Sequence, residues 1–95
     1  MEEQKRPQIT HVAIRFQGVV YSLPAPNRHH DVIRLIIERN PDVTHVDSRG
    51  QDQGFLDENG LYLTRKCALG IARANGQLRT DREVHANQLF SENLW

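Results

Sequence analysis

Cysteine is almost absent: Cys67 is the only one among 95 residues, so no disulfide can form within the chain. That absence suits a reducing compartment. An excess charge of either sign is also missing. Lys+Arg number 12 and Asp+Glu number 12, for a formal net charge of +0. No overall field therefore draws the protein to DNA, RNA or an acidic membrane. Neutrality also gives little protection against self-association, which favours a homo-oligomer. No apolar run approaches the ~20 residues of a membrane-spanning helix, and the polar start MEEQKRPQ holds no apolar signal segment. A cytoplasmic protein is expected. The glycine-rich phosphate loop, the dinucleotide fingerprint, HExxH and GxSxG are all missing as well. Neither a cofactor nor a resident metal is expected.

What is present is an ordinary globular composition, 38% hydrophobic and 25% charged. A chain of this size buries roughly 60–70% of its unfolded surface, enough for one modest core. Residues 1–8 read as a flexible leader and residues 9–95 as a single ligand-binding domain. From Ile9 the pattern alternates, with Val12, Ile14 and Phe16 on one face and His11, Ala13 and Arg15 on the other. Period two marks a half-buried strand. Gln17-Gly18 makes a two-residue turn, and Val19 to Tyr21 return as a second strand that Leu23-Pro24-Ala25-Pro26 stops.

Asn27 reads as the N-cap of a helix from Arg28 to about Arg39, with Val32, Ile33, Leu35, Ile36 and Ile37 on its apolar face. Residues 41–53 form a polar connection in which Val43 to Val46 is a candidate short strand. Gly54 to Leu56 and Leu61 to Leu63 then form a hairpin around Asn59-Gly60. Thr64 caps a second helix, Arg65 to Asn75, which Gly76 terminates. Cys67, Ala68, Ile71, Ala72 and Ala74 make its inner face, with Cys67 expected as a buried structural thiol. The order ββαββα predicts an α+β fold: a small antiparallel sheet of two β-hairpins with two helices packed on one face. The ending LFSENLW predicts a tail docked on its own domain or on a neighbour's.

Several residues sit where such elements meet. Arg28 and His29 open the first helix and offer donors to an anion or a ring. His29 and His30 are adjacent and point about 100° apart, so they do not chelate one ion as an i, i+4 pair does. Arg65 opens the second helix beside free backbone N–H groups, and its planar fork suits phosphate. Phe55 and Tyr62 have two uses, stacking a purine or closing the core, and core packing is the commoner use of either alone. Arg79 and Arg82 follow the glycine stop in a polar loop. No catalytic constellation emerges, since no His or Asp is placed beside Cys67.

Taken together, HVAIRFQGVVYS, RHHDVI, QGFLDENGLYLTRKCALGIARANGQL and LFSENLW resemble small phage proteins of the first-described Thoeris anti-defence family. Those are sponges for the cyclic ADP-ribose variants that bacterial TIR enzymes produce. The resemblance implies a non-enzymatic protein of the host cytoplasm that sequesters its ligand intact. It also implies a dimer or hexamer, with cyclic oligonucleotides as a second ligand class in some members. Carried onto matching motifs, it points to Arg28, His29, Phe55 and Arg65 as ligand-binding residues, joined by Arg79, Arg82, Phe90 and Ser91 from pocket logic. The connection at 41–53 is shorter than the family leads one to expect. Two other classes stay open: a nucleotide-modifying enzyme using His29, His30 or His85 as base, and a protein–protein inhibitor of a host enzyme.

Overall fold

The computed structural model describes residues 7–44, 46, 52–81, 83–84 and 88–95. Its elements run β1 (Ile9–Phe16), β2 (Val19–Pro24), α1 (His29–Arg39), β3 (Gln53–Asp57), β4 (Tyr62–Thr64) and α2 (Arg65–Asn75). A 3-10 turn, Ser91–Asn93, follows near the C-terminus. The strands form one antiparallel sheet in the order β2-β1-β3-β4. The first strand of each hairpin therefore lies in the middle of the sheet.

Register explains the core. Val12 stands opposite Leu23 on one side and Phe55 on the other, and Phe55 stands opposite Leu63. That row, with Ile14, forms one cluster with Val32 and Ile36 of α1 and Ala68, Leu69 and Ala72 of α2. Both helices thus cover the same face of the sheet, as the ββαββα order predicts. Phe55 is fully buried, and burial of a side chain that size contributes about 2–3 kcal/mol. Ala13 belongs to the opposite face by alternation yet is fully buried. Its methyl group stands between Ser22 and Gly54 in the middle of the sheet, where neighbouring side chains cover it easily.

The turns follow the chemistry of their residues. Gln17 and Gly18 have φ of 51° and 79°, the positive pair that a tight primed hairpin turn requires. In the second hairpin, Asp57 Oδ1 accepts from the N–H groups of Asn59 (2.9 Å) and Leu61 (3.0 Å). The Thr64 hydroxyl caps α2 by accepting from Cys67 N–H at 3.2 Å, and Gly76 ends that helix in the left-handed region.

Four expectations need correction. The cap of α1 is Arg28, whose N–H donates to Asp31 Oδ2 at 2.8 Å. The Asn27 side chain instead donates through Nδ2 to Pro24 O at 2.8 Å, a bond within the preceding turn. Val43, Thr44 and Val46 lie in no strand, and His45 is outside the described residues. Cys67 is exposed, as is Ala74. Leu69, not Cys67, joins Ala68 and Ala72 inside, and residues two apart on a helix point about 200° apart. The tail does dock: the Trp95 indole Nε1 donates to Asn27 O at 2.8 Å. No helix among the described residues is long and apolar enough to cross a membrane.

Gly54 supports a direct test. A β-carbon there would run into the Leu63 carbonyl oxygen and lie 2.8 Å from the Tyr62 hydroxyl. Gly54→Ala is therefore expected to cost about 3 kcal/mol, the upper range for overpacking, measured by denaturant unfolding. An unchanged midpoint would mean that β4 does not run this close to β3.

Candidate functional site

The starts of the two helices face one another across a cavity of about 420 Å³ lined by Arg28, His29, His30, Arg65, Phe90, Ser91 and Glu92. Three stretches distant in sequence meet there. Arg28 to His30 open α1, Arg65 opens α2, and Phe90 to Glu92 belong to the tail. The tail is tied to both helix starts. Leu89 N–H donates to Arg65 O at 3.2 Å, and the Trp95 indole reaches Asn27 O. Asn93, buried, holds the curve between them by accepting from Phe90 N–H at 3.1 Å and donating to Glu83 O at 3.0 Å.

Each cation is held differently. Arg28 Nη1 lies 3.5 Å from Ser91 Oγ. The Arg65 guanidinium lies 4.8 Å from the centroid of the Phe90 ring, and its Nη2 donates to Gln53 Oε1. Its Nε is buried and has no partner among the described residues, which is uncommon for a buried donor. Burial pushes the Arg65 pKa down, with Tyr62 opposing, but arginine stays charged at any physiological pH. At the start of α1, Asp31 N–H and Val32 N–H reach Arg28 O at 3.0 and 3.4 Å. The N–H groups of His29 and His30 precede the helix's own acceptors, and both residues line the cavity.

His29 is anchored to the sheet. Its Nε2 lies 2.8 Å from Gly54 O, and its ring meets the Phe55 ring edge-on at 5.2 Å. A carbonyl only accepts, so Nε2 carries the proton. Burial lowers the His29 pKa from 6.5 to about 4, against the opposing pull of the Gly54 carbonyl, and the Arg65 charge lowers it further. The imidazole is neutral at pH 7.

The sequence-derived residues divide accordingly. Arg28, His29, Arg65, Phe90 and Ser91 come together around one cavity. Phe55 does not: it is fully buried beneath His29 and offers no face to a ligand. Its place in the row Val12–Phe55–Leu63 commits it to the core. Arg79 stands outside the cavity in a two-point pair with Asp81, Nε to Oδ1 at 2.9 Å and Nη2 to Oδ2 at 2.5 Å. Arg82 lies outside the described residues, as does His85. Sequence reasoning missed Glu92 in the lining, and it missed Gln53 and Gly54 behind it. A signal for Gln53 existed: the register Gly54↔Thr64 and Phe55↔Leu63, set by the Asn59-Gly60 turn, brings residue 53 level with residue 65.

Residues 8–95 match the family described as Phage T4 y16D protein. The chain belongs to that family. No curated protein and no solved structure matches it. The T4 y16D match makes this a member of a phage protein family, and it spans the sheet, both helices and the tail that lines the cavity. Among the described residues of this y16D family member, no group of three or more His, Cys, Asp or Glu is placed to hold a metal ion. A second cavity of about 340 Å³ lies at the far end of α1, lined by Gln17, Arg39, Asn40, Pro41, Asp42 and Val43.

The buried neutral His29 sets a pH dependence. Between pH 6.5 and about 4 the unfolded chain takes up a proton that the folded one refuses. Stability is therefore fully present above pH 6.5 and lost as the pH falls towards 4, by an amount on the order of 3 kcal/mol. Unfolding midpoints in denaturant should fall more steeply with acid for the native protein than for His29→Gln. Equal slopes would contradict a buried neutral imidazole.

Proposed function

We propose that this phage-family protein binds and sequesters a cyclic nucleotide immune signal, a cyclic ADP-ribose isomer made by TIR enzymes, and so suppresses host antiviral defence. The observation that carries the reading is the meeting of Arg28 and Arg65, from two separate helix starts, in one cavity with Phe90 and Ser91. Its volume of about 420 Å³ falls within the ordinary range of small-ligand pockets. Two guanidinium forks and first-turn N–H groups suit a pyrophosphate, and the Ser91 hydroxyl suits a ribose. The resemblance to the Thoeris anti-defence sponges supports the choice of ligand.

The ligand is held without being cleaved. An enzyme would need a general base, and His29 is a poor one: its Nε2 is committed to Gly54 O and its pKa is about 4. His30 lines the cavity as well, but its ring is largely exposed and its Nε2 faces the Asp31 carboxylate at 3.4 Å. The protein works in the host cytoplasm as a homo-oligomer, a dimer or hexamer. A neighbouring subunit over the open cavity would exclude water and strengthen every charged contact inside.

The purified protein, incubated with the product of an active TIR enzyme and then heated, should release that product unchanged. Recovery of a cleaved nucleotide would instead make it an enzyme. A stable complex with a host protein formed without any small molecule would make it a protein inhibitor. Arg65→Ala should weaken calorimetric binding at least roughly tenfold, the loss of one charge-assisted contact, with an unchanged melting midpoint. Should the midpoint collapse too, Arg65 is a structural residue.

A further inference from the structure

Gln53 is the first residue of β3 and stands opposite Ile14 in register, so its backbone is fixed by the centre of the sheet. Its Oε1 accepts from Arg65 Nη2. The Phe90 ring lies 4.8 Å from the same guanidinium carbon. A planar guanidinium can tilt its plane about two axes and rotate within it. The ring on one side restricts the tilt, and the glutamine oxygen restricts the rotation. The buried Nε, without a partner among the described residues, then stays at one fixed angle.

The partner is also neutral, and this is the decisive chemistry. A carboxylate at position 53 would orient the fork equally well but would cancel its charge. An amide oxygen orients it and leaves the full positive charge for an anion. The next residue acts in parallel, since Gly54 O holds the His29 imidazole. Two consecutive residues of one strand thus hold side chains from both helix starts.

We propose that Gln53 is the positioning residue of this cavity, holding the Arg65 fork in its anion-accepting orientation without neutralising it. The role in binding rests on the reading of the cavity as a site for a phosphate-bearing ligand, whereas the orientation of Arg65 does not.

Side-chain NMR of arginine-labelled protein tests the orientation without ligand. In the native protein the Arg65 Nη signals should be separate, because rotation about Cζ–Nη2 is hindered. They should average in Gln53→Ala and stay separate in Gln53→Glu. Calorimetric titration with a TIR-produced cyclic ADP-ribose isomer tests the consequence. Gln53→Ala should bind roughly tenfold more weakly, and Gln53→Glu at least as weakly although its Arg65 is still locked. Added to Arg65→Ala, Gln53→Ala should cost nothing further.

Averaged Arg65 signals in the native protein would overturn the proposal. So would an equal loss from Gln53→Ala with and without Arg65. Should Gln53→Ala fail to fold, the native and Gln53→Glu signals decide the orientation. If no form binds the nucleotide while Arg65 is locked in the native protein and released in Gln53→Ala, positioning stands and the nucleotide reading falls.

Discussion

The antiparallel pairing of β1 with β3 is the constraint on which the rest depends. It joins two hairpins through their first strands and places Val12 against Phe55 at the centre of the core, both fully shielded from water. It also fixes where Gln53 and Gly54 stand, and through them the side chains of Arg65 and His29. Without this pairing the two helix starts would belong to independent hairpin–helix units, each too small to hold a shape alone. With it, the openings of α1 and α2 become two walls of one cavity.

The tail completes what the sheet begins. Leu89 is tied to the carbonyl of Arg65 and Trp95 to the carbonyl of Asn27, so the last residues bridge the two helix starts. Phe90, Ser91 and Glu92 lie between these anchors and form the third wall. Packing and site therefore share parts. Leu89 is fully buried in the core while its neighbour Phe90 faces Arg65. A ligand bound here would meet residues whose positions the fold already specifies, which would lower the entropy cost of binding.

Much of the fold was legible because its signals were local. The alternation from Ile9, the turns at Gln17-Gly18 and Asn59-Gly60, the Thr64 cap and the Gly76 stop each depend on neighbouring residues, and each stands in the structure. What misled was the choice of partner, across the sheet or between near neighbours. Phe55 was assigned to the ligand by resemblance, although core packing is the commoner use of such a residue, and nothing in its own strand says which face the helices cover. Arg79 was a candidate from pocket logic alone, and its pair with Asp81 appears only in the folded loop. The α1 cap shifted from Asn27 to Arg28 because Asp31 captured the Arg28 N–H. In the site, the cations at the helix starts were visible as local features, while Gln53 became visible only through strand register.

The central claim is that both helix starts and the tail grip one ligand together. Backbone amide mapping by NMR, with a TIR-produced cyclic ADP-ribose isomer titrated into the labelled protein, tests it most directly. The account predicts concerted shifts at His29, His30, Arg65 and Phe90 to Glu92, and none at Gln17 or Arg39 to Val43. Shifts gathered at that far cavity, or confined to one helix start, would contradict it.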